Sequence, residues 1–496
     1  MLLTRSTLAV RADALAHVGL ALLLVTTACT SDVGAPADAG APADAGASAD
    51  AGAPADGGAD ASATWTRVEG ALETAFVQVP STAAGTEGVA VLIEFPATRD
   101  GTRYPEGAPI VVEVPGGSNT GSFSDDGVPA YAESGLVTLK LLFPGGATPD
   151  GAHVSGGAYD YRGPLCQRAL ADVFRFATGA ISASDASGAM VSLATVVGYP
   201  VLTDEVGVLA ISNGGNVAAM ALAAHGAELT GIGWFVGWEN PTGDQFVVVE
   251  VGRAMQPNPY YVDGSCVGAT CELDYSQLAF DTTAPMTVRD ASDDTLTVML
   301  PGTIYFDANS DGLFAASEYR VTPFGYRMMP GSPLRAFVSV ELTQALIDAG
   351  LHMMPIPLIA QTTAFWRARD PSVGTRFADA ITALPGLGVM VLGSETDHVQ
   401  GTDDHAHLRV QLAGWRDASA PFVRLNPDRA YFAQLGAAVT IDNDANVEPT
   451  RDFVVGGLAP DTTDDEAVHR RAAVQEMADR THDANWSANL DATLWY

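Results

Sequence analysis

Basic residues are scarce in this chain. Its 496 residues carry 25 Lys and Arg against 59 Asp and Glu, a formal net charge of −34 at pH 7. So acidic a surface repels phosphate backbones and anionic headgroups, which argues against nucleic acid and anionic lipid as partners. Cysteine is scarce too, with only four. No histidine or further cysteine lies at zinc spacing around Cys166 or around Cys266 and Cys271, which argues against a zinc centre. Cys266 and Cys271, in Cys-Val-Gly-Ala-Thr-Cys, are close enough to form a tight disulfide loop in an oxidising compartment. Cys166 is then the odd thiol, expected to be buried, with pairing to one of the other two as the alternative. Long apolar runs are also missing: beyond the first residues nothing is long and apolar enough to cross a bilayer.

The N-terminus has its own character. Arg5 and Arg11 give a weakly basic start diluted by Asp13, and Leu15 to Val25 is an apolar run of signal-peptide length, too short to span a membrane. It ends in Thr26-Thr27-Ala28-Cys29, which resembles a bacterial lipobox, with Thr26 where that pattern usually has an aliphatic residue. The resemblance implies that residues 1–28 are removed and Cys29 is lipidated. Ordinary secretion with cleavage near Ala28 is the alternative. From Gly34 the sequence Gly-Ala-Pro-Ala-Asp-Ala repeats with period six to about Gly58. With no large apolar side chain, residues 29–64 are expected to form an unstructured tether. The expected location is a bacterial cell envelope, with the lipid anchor as the only membrane contact.

Residues 65–496 are long for one ordinary domain but suit one α/β domain with an insertion. Phe76–Val79, Val89–Phe95, Pro109–Val114 and Leu136–Phe143 read as strands. Arg162–Thr178 reads as a helix with Leu165, Ala169, Val173 and Phe176 on one face. The third strand runs into Pro115-Gly-Gly-Ser-Asn-Thr-Gly121, and Leu136–Phe143 into Pro144-Gly-Gly. The most informative stretch begins at Val206. A short apolar run ends at Ser212 in Ala210-Ile-Ser-Asn-Gly214, and an Ala-rich helical segment follows at once. That is the local pattern of a nucleophile elbow, written A-x-S-x-G where G-x-S-x-G is commoner. A strand over Gly231–Val236 comes next. Alternation of this kind predicts a mostly parallel sheet covered by helices on both faces.

This order of elements resembles the α/β-hydrolases, near the dienelactone-hydrolase and prolyl-oligopeptidase-like branches. The resemblance covers roughly residues 76–249 and 336–432. It implies that Ser212 is a nucleophile and that backbone amides near Gly117 or Ser118, together with Asn213, hold an oxyanion. It also implies an acid at the end of a later strand. Gly388-Val-Met-Val-Leu-Gly-Ser-Glu-Thr-Asp397 supplies that strand, with Asp397 as the leading acid and Glu395 behind it. The final strand, Pro421–Leu425, should precede the catalytic histidine, yet it runs into Asn426-Pro-Asp-Arg-Ala-Tyr. The base is therefore sought one loop earlier: His405 first, then His407, then His398. His469 and His482 lie in an acidic tail and rank lower. A metal site from Asp403, Asp404, His405 and His407 is a minor alternative.

The insertion after the strand that follows the nucleophile, about residues 250–335, contains Asp307-Ala-Asn-Ser-Asp-Gly-Leu-Phe-Ala-Ala-Ser-Glu318. It matches D-x-N-x-D-G-x5-E at every position, the pattern of an EF-hand loop. Asp307, Asn309 and Asp311 would supply side-chain oxygens, Leu313 its carbonyl, and Glu318 two carboxylate oxygens to a structural Ca2+. Val298–Phe306 before it reads as a strand, so the loop is expected to stand alone and not between two helices. The resulting expectation is an envelope serine hydrolase of ester, less readily amide, bonds in a small molecule or polymer. The alternative is a catalytically silent lipoprotein of the same fold that binds a ligand or partner. Oligomeric state is not legible.

Overall fold

In the computed structural model the residues described are 72–123, 131–243, 250–253, 256–262, 264–267, 270–291, 293–351, 355–393, 399, 405–428, 431, 435, 440–441, 453–454 and 462–486. The expected signal, lipidation site Cys29 and tether lie outside them, as do Glu395, Asp397, His398, Asp403 and Asp404.

A ten-stranded, mostly parallel sheet forms the centre of an α/β fold. Its first strands are β1 (Leu72–Ser81), β2 (Gly85–Pro96), β3 (Ala108–Val114) and β4 (Val137–Leu141). After helix α1 (Pro164–Ala177) come the short β5 (Ala183–Ser184) and β6 (Met190–Val191), then helix α2 (Leu193–Val197) and strand β7 (Val201–Ile211). Helix α3 (Gly214–His225) returns to β8 (Ile232–Trp238). After the insertion, helices α4 (Val340–Asp348), α5 (Ile359–Arg367) and α6 (Arg376–Ala383) lead into the last sheet strands. These are β17 (Gly388–Leu392) and β18 (Phe422–Leu425), separated by α7 (Ala406–Asp417) and followed by α8 (Thr462–His482). The spatial order is β18-β17-β8-β7-β3-β4-β2-β1-β5-β6. From β18 to β4 every pairing is parallel, and β2 is antiparallel to both β1 and β4.

The parallel strands read as near-continuous apolar runs because both faces are covered. On one face Val112, Val208 and Val389 pack with residues of α1, α3, α6 and α7. On the other, Leu209, Trp234 and Met390 pack against Ala473, Val474 and Met477 of α8. Helix α3 is buried on nearly all sides, so it lacks an amphipathic stripe. In α1, Ala169, Val173 and Phe176 face the core as expected, but Leu165 is exposed. Its neighbour Cys166 is fully buried, so Leu165 lies on the other face of the first turn.

The acidic tail docks through ion pairs as well as apolar contacts. Glu476 on α8 is fully buried and takes both Arg424 of β18 and Arg480 (2.9 and 2.7 Å), and Asp479 holds Arg103 at 2.6 Å. Arg470 lies over the Trp238 ring. Buried charges are tolerable only when paired in this way.

The insertion carries β9 (Gly252–Arg253), β10 (Gln256–Pro257), β11 (Leu278–Asp281), β12 (Met286–Asp290), β13 (Asp293–Leu300), β14 (Thr303–Phe306), β15 (Phe324–Arg327) and β16 (Leu334–Phe337). The single strand expected over Val298–Phe306 is two strands broken at Pro301-Gly302, where proline cannot donate to a ladder. The insertion has its own core around Ile304, Phe306, Val321 and Leu342. Cys266 and Cys271 form a disulfide, and Cys166 is a buried free thiol.

Candidate functional site

Ser212 stands between β7 and α3 with φ +47°. A non-glycine residue in the left-handed region costs about 1–3 kcal/mol and persists only where its surroundings over-determine it. Here they do. The Ser212 N–H donates to the Trp238 carbonyl (2.8 Å), and its own carbonyl accepts from the Gly215 N–H (2.9 Å) and from Asn240 Nδ2 (2.7 Å). Asn240 is fully buried just beyond β8 and also donates to Ala210 and Trp238 carbonyls.

The Pro115-Gly-Gly turn abuts this elbow. A Cβ on Gly116 would lie 3.0 Å from the Ile211 oxygen and 3.1 Å from Ser212 Cβ, and one on Gly214 would lie 2.5 Å from the Val114 oxygen. At Gly214 the two backbones meet at a separation only hydrogen permits, whereas at Gly116 a Cβ would need its neighbours to give by a few tenths of an ångström. The carbonyls of this turn are each claimed by a side chain: Gly116 by Arg162 Nη2 (2.8 Å), Gly117 by Asn213 Nδ2 (3.1 Å) and Ser118 by the Tyr159 hydroxyl (2.6 Å). A planar trans peptide holds its N–H opposite its carbonyl. Fixing the Gly116 and Gly117 carbonyls therefore fixes the directions of the Gly117 and Ser118 amides. The Ser118 hydroxyl lies 3.1 Å from the Tyr326 hydroxyl of β15, so the insertion reaches this turn.

The histidines sort by position. His482 bonds Glu205 in the first half of β7 (3.0 Å), seven positions before Ser212 and hence about 23 Å along the strand. His225 ends α3, roughly 18 Å from the elbow. His153 stacks on Phe76 of β1. His469 is buried on α8, with Nε2 2.8 Å from Asn426 Oδ1, and burial pushes its pKa down to about 3. Asn426 takes the place expected for the catalytic histidine, directly after β18. Its amide exchanges two hydrogen bonds with Gly393 (3.0 and 3.1 Å). Since Asn426 Nδ2 donates to Gly393, Oδ1 is the acceptor and His469 Nε2 carries a proton.

His405 and His407 remain among the described histidines. Both are buried at the head of α7, their rings 6.3 Å apart, and His405 has φ +43°. Four residues after His407, Gln411 donates to Asn240 Oδ1 (2.9 Å), the same amide that holds the Ser212 carbonyl. Residues i and i+4 share a helix face, so His407 projects from the face of α7 that is tied to the elbow. Leading acid Asp397 follows β17 outside the described residues. Glu239 was not singled out from the sequence: it is buried with φ +45°, next to the residue whose carbonyl accepts from Ser212, and its N–H donates to Leu392 of β17 (3.0 Å). Asn240 was missed as well. The signal available for both was a polar pair, Glu-Asn, directly after an apolar strand.

No protein-family profile matches the chain, and no curated protein matches it. Similar solved structures include a hypothetical protein from Pseudomonas aeruginosa (16% identity, 38% of this chain and 49% of that one, TM-score 0.25). The present chain thus spans about half the length of that protein. Brefeldin A esterase, a bacterial homologue of human hormone-sensitive lipase, aligns at 13% identity over 84% of this chain and 77% of its own (TM-score 0.35). Carboxyl esterase 2 from the mycorrhizal fungus Tuber melanosporum aligns at 10% identity over 83% and 86% (TM-score 0.37).

Proposed function

We propose that this protein is a serine hydrolase of carboxylic esters. The observation that carries the reading is the over-determined left-handed Ser212, set against an amide-bearing glycine turn. Ser212 Oγ attacks the ester carbonyl carbon while its proton passes to a histidine at the head of α7, His405 first and His407 second. The amides near Gly117, Ser118 and Asn213 hold the oxyanion. Collapse breaks the bond to the alcohol, which leaves with the histidine's proton. Water then repeats the sequence on the acyl-serine and releases the acid. Asp397 orients the imidazole, and Glu239, buried directly after β8, is the second candidate for that part.

A fluorophosphonate probe and a short-chain p-nitrophenyl ester test this. The wild type should label and turn over, and Ser212→Ala should lose both, with kcat/KM falling by about three orders of magnitude or more. Undiminished labelling of Ser212→Ala overturns the assignment. Asn426 in the place expected for the histidine favours one second reading, a silent fold that binds a ligand or partner, and a wild type that neither labels nor turns over would support it.

The N-terminal sequence supports export and a lipid anchor on Cys29. Palmitate incorporation should vanish in Cys29→Ser, and its persistence would exclude that anchor.

A further inference from the structure

The acidic loop of the insertion plays no part in the ester chemistry, so its state needs its own explanation. Residues 307–318 join β14 to the segment 319–321, which pairs back on it: Phe306 N–H donates to the Tyr319 carbonyl and Val321 N–H to the Ile304 carbonyl, both at 3.0 Å. The loop thus caps a hairpin whose base is the insertion's core. Its far side is pinned to β11, where Asp281 Oδ2 accepts the Phe314 N–H (2.9 Å).

Within the loop most carboxylate and amide oxygens have partners. Asn309 Oδ1 accepts from Asp311 N–H, Asp311 Oδ1 from Leu313 N–H, and the two Glu318 oxygens from Ala308 and Ala315 N–H (2.8–2.9 Å). Asp307 differs. Its Oδ2 accepts the Gly312 N–H (2.9 Å), which turns the carboxylate into the loop, but its Oδ1 is buried without a hydrogen-bond partner, and the residue is only 8% exposed. A buried carboxylate oxygen with no donor is costly, more so with Asp311 and Glu318 in the same turn. What would satisfy it is a cation. The donors at hand are oxygens alone, from two aspartates, one asparagine, a carbonyl and a glutamate, and such a hard set selects Ca2+ over Zn2+.

We propose that loop 307–318 binds one calcium ion through Asp307, Asn309, Asp311, the Leu313 carbonyl and Glu318. Among the described residues no three His, Cys, Asp or Glu side chains already stand gathered for a metal. Binding therefore involves a rearrangement in which Glu318 exchanges its backbone donors for the ion. The inference is independent of the ester chemistry: it stands or falls on the loop.

The test uses the purified protein stripped with EGTA. Calorimetric titration with CaCl2 should show one equivalent bound, with Kd between about 10⁻⁶ and 10⁻³ M. Saturating calcium should raise Tm by about 2 °C or more. Terbium should luminesce on tyrosine excitation, since Tyr305 packs on Phe314 within the loop (ring centroids 5.5 Å). Asp307→Asn, which keeps an acceptor for Gly312, and Asp311→Ala, at an exposed position, should each weaken calcium binding at least tenfold while circular dichroism stays unchanged. No uptake by the wild type overturns the proposal. Uptake undiminished in both variants overturns it too, because the ion then sits elsewhere.

Discussion

At the end of β7 the backbone of Ser212 is gripped by three neighbouring segments, whereas the acidic loop of the insertion is held mostly by itself. Trp238, Asn240 and Gly215 fix the serine from outside its own residue, and the Pro115 turn closes over it at van der Waals contact. In loop 307–318 most donors and acceptors lie within the loop itself, with outside ties where the Asp307 N–H donates to the Gln277 carbonyl and Asp281 accepts from the Phe314 N–H. Each region contains a glycine that its turn favours, yet for different reasons. Gly214 is favoured by contact and Gly312 by its φ of +75°. The proposed nucleophile is thus held by long-range packing, and the proposed cation loop mostly by local sequence.

The same substitution in both places should separate the two. Gly214→Ala drives a Cβ to 2.5 Å from the Val114 oxygen, and either α3 or the Pro115 turn must shift. A displacement of about 1 Å near reacting atoms can cost 10²-fold, so fluorophosphonate labelling and kcat/KM should both fall by about that factor while the protein stays folded. Gly312→Ala meets no atom within 4 Å and costs only left-handed strain, roughly 1 kcal/mol. It should leave ester turnover unchanged. Equal losses from the two substitutions would mean that the Ser212 elbow is not the tightly determined region.

This contrast explains which parts could be read from the chain. The strands and the elbow were legible because apolar runs buried on both faces, followed by small residues at Ser212, leave a local imprint. The twelve-residue loop was legible because every candidate ligand lies within it. Glu239 and Asn240 were not, since each acts across strands and neither has a periodic or motif signature. Helix α8 was equally opaque: its few core-facing apolar residues, Ala473, Val474, Met477 and Ala478, are interspersed with charges, and Arg424, Arg103 and Trp238, which those charges meet, lie far away in sequence. His469 illustrates the consequence. In sequence it is one histidine in an acidic tail, and in the fold it is a buried neutral donor to Asn426.

Chelation is a gentler probe of the same difference. With EGTA the insertion should lose stability, and Tm should fall by the amount that calcium restores. Labelling of Ser212 should slow only slightly, because the hydrogen bonds that fix its backbone come from Trp238, Asn240 and Gly215. The insertion reaches the neighbouring turn through the Ser118–Tyr326 contact, and Tyr161, next to Arg162, through Asp290 and Arg327. A loss of labelling comparable to that of Gly214→Ala would show that the insertion is an integral part of the site.

The smallest effect concerns the clasp that closes the insertion. Glu250, at its start, is fully buried. Its Oε1 accepts the Ser339 N–H (2.9 Å) at the insertion's end, and its Oε2 accepts from the Tyr275 hydroxyl (2.8 Å). Burial pushes its pKa up to about 8, against the lowering effect of those two donors. A carboxyl whose folded pKa exceeds its unfolded value contributes stability that is complete below the unfolded pKa, near 4.5. That contribution is lost as pH rises through 8, because the unfolded chain sheds the proton first. Wild-type Tm should therefore decline between pH 5 and 9, by an amount corresponding to a few kcal/mol at most. Glu250→Gln keeps an oxygen for Ser339 and has no proton to lose, so its Tm should fall less steeply, with the two proteins converging toward pH 5 and the variant the more stable at pH 9. Parallel curves would show that Glu250 stays ionised in the fold, and the clasp would then be a charged one held by its two donors.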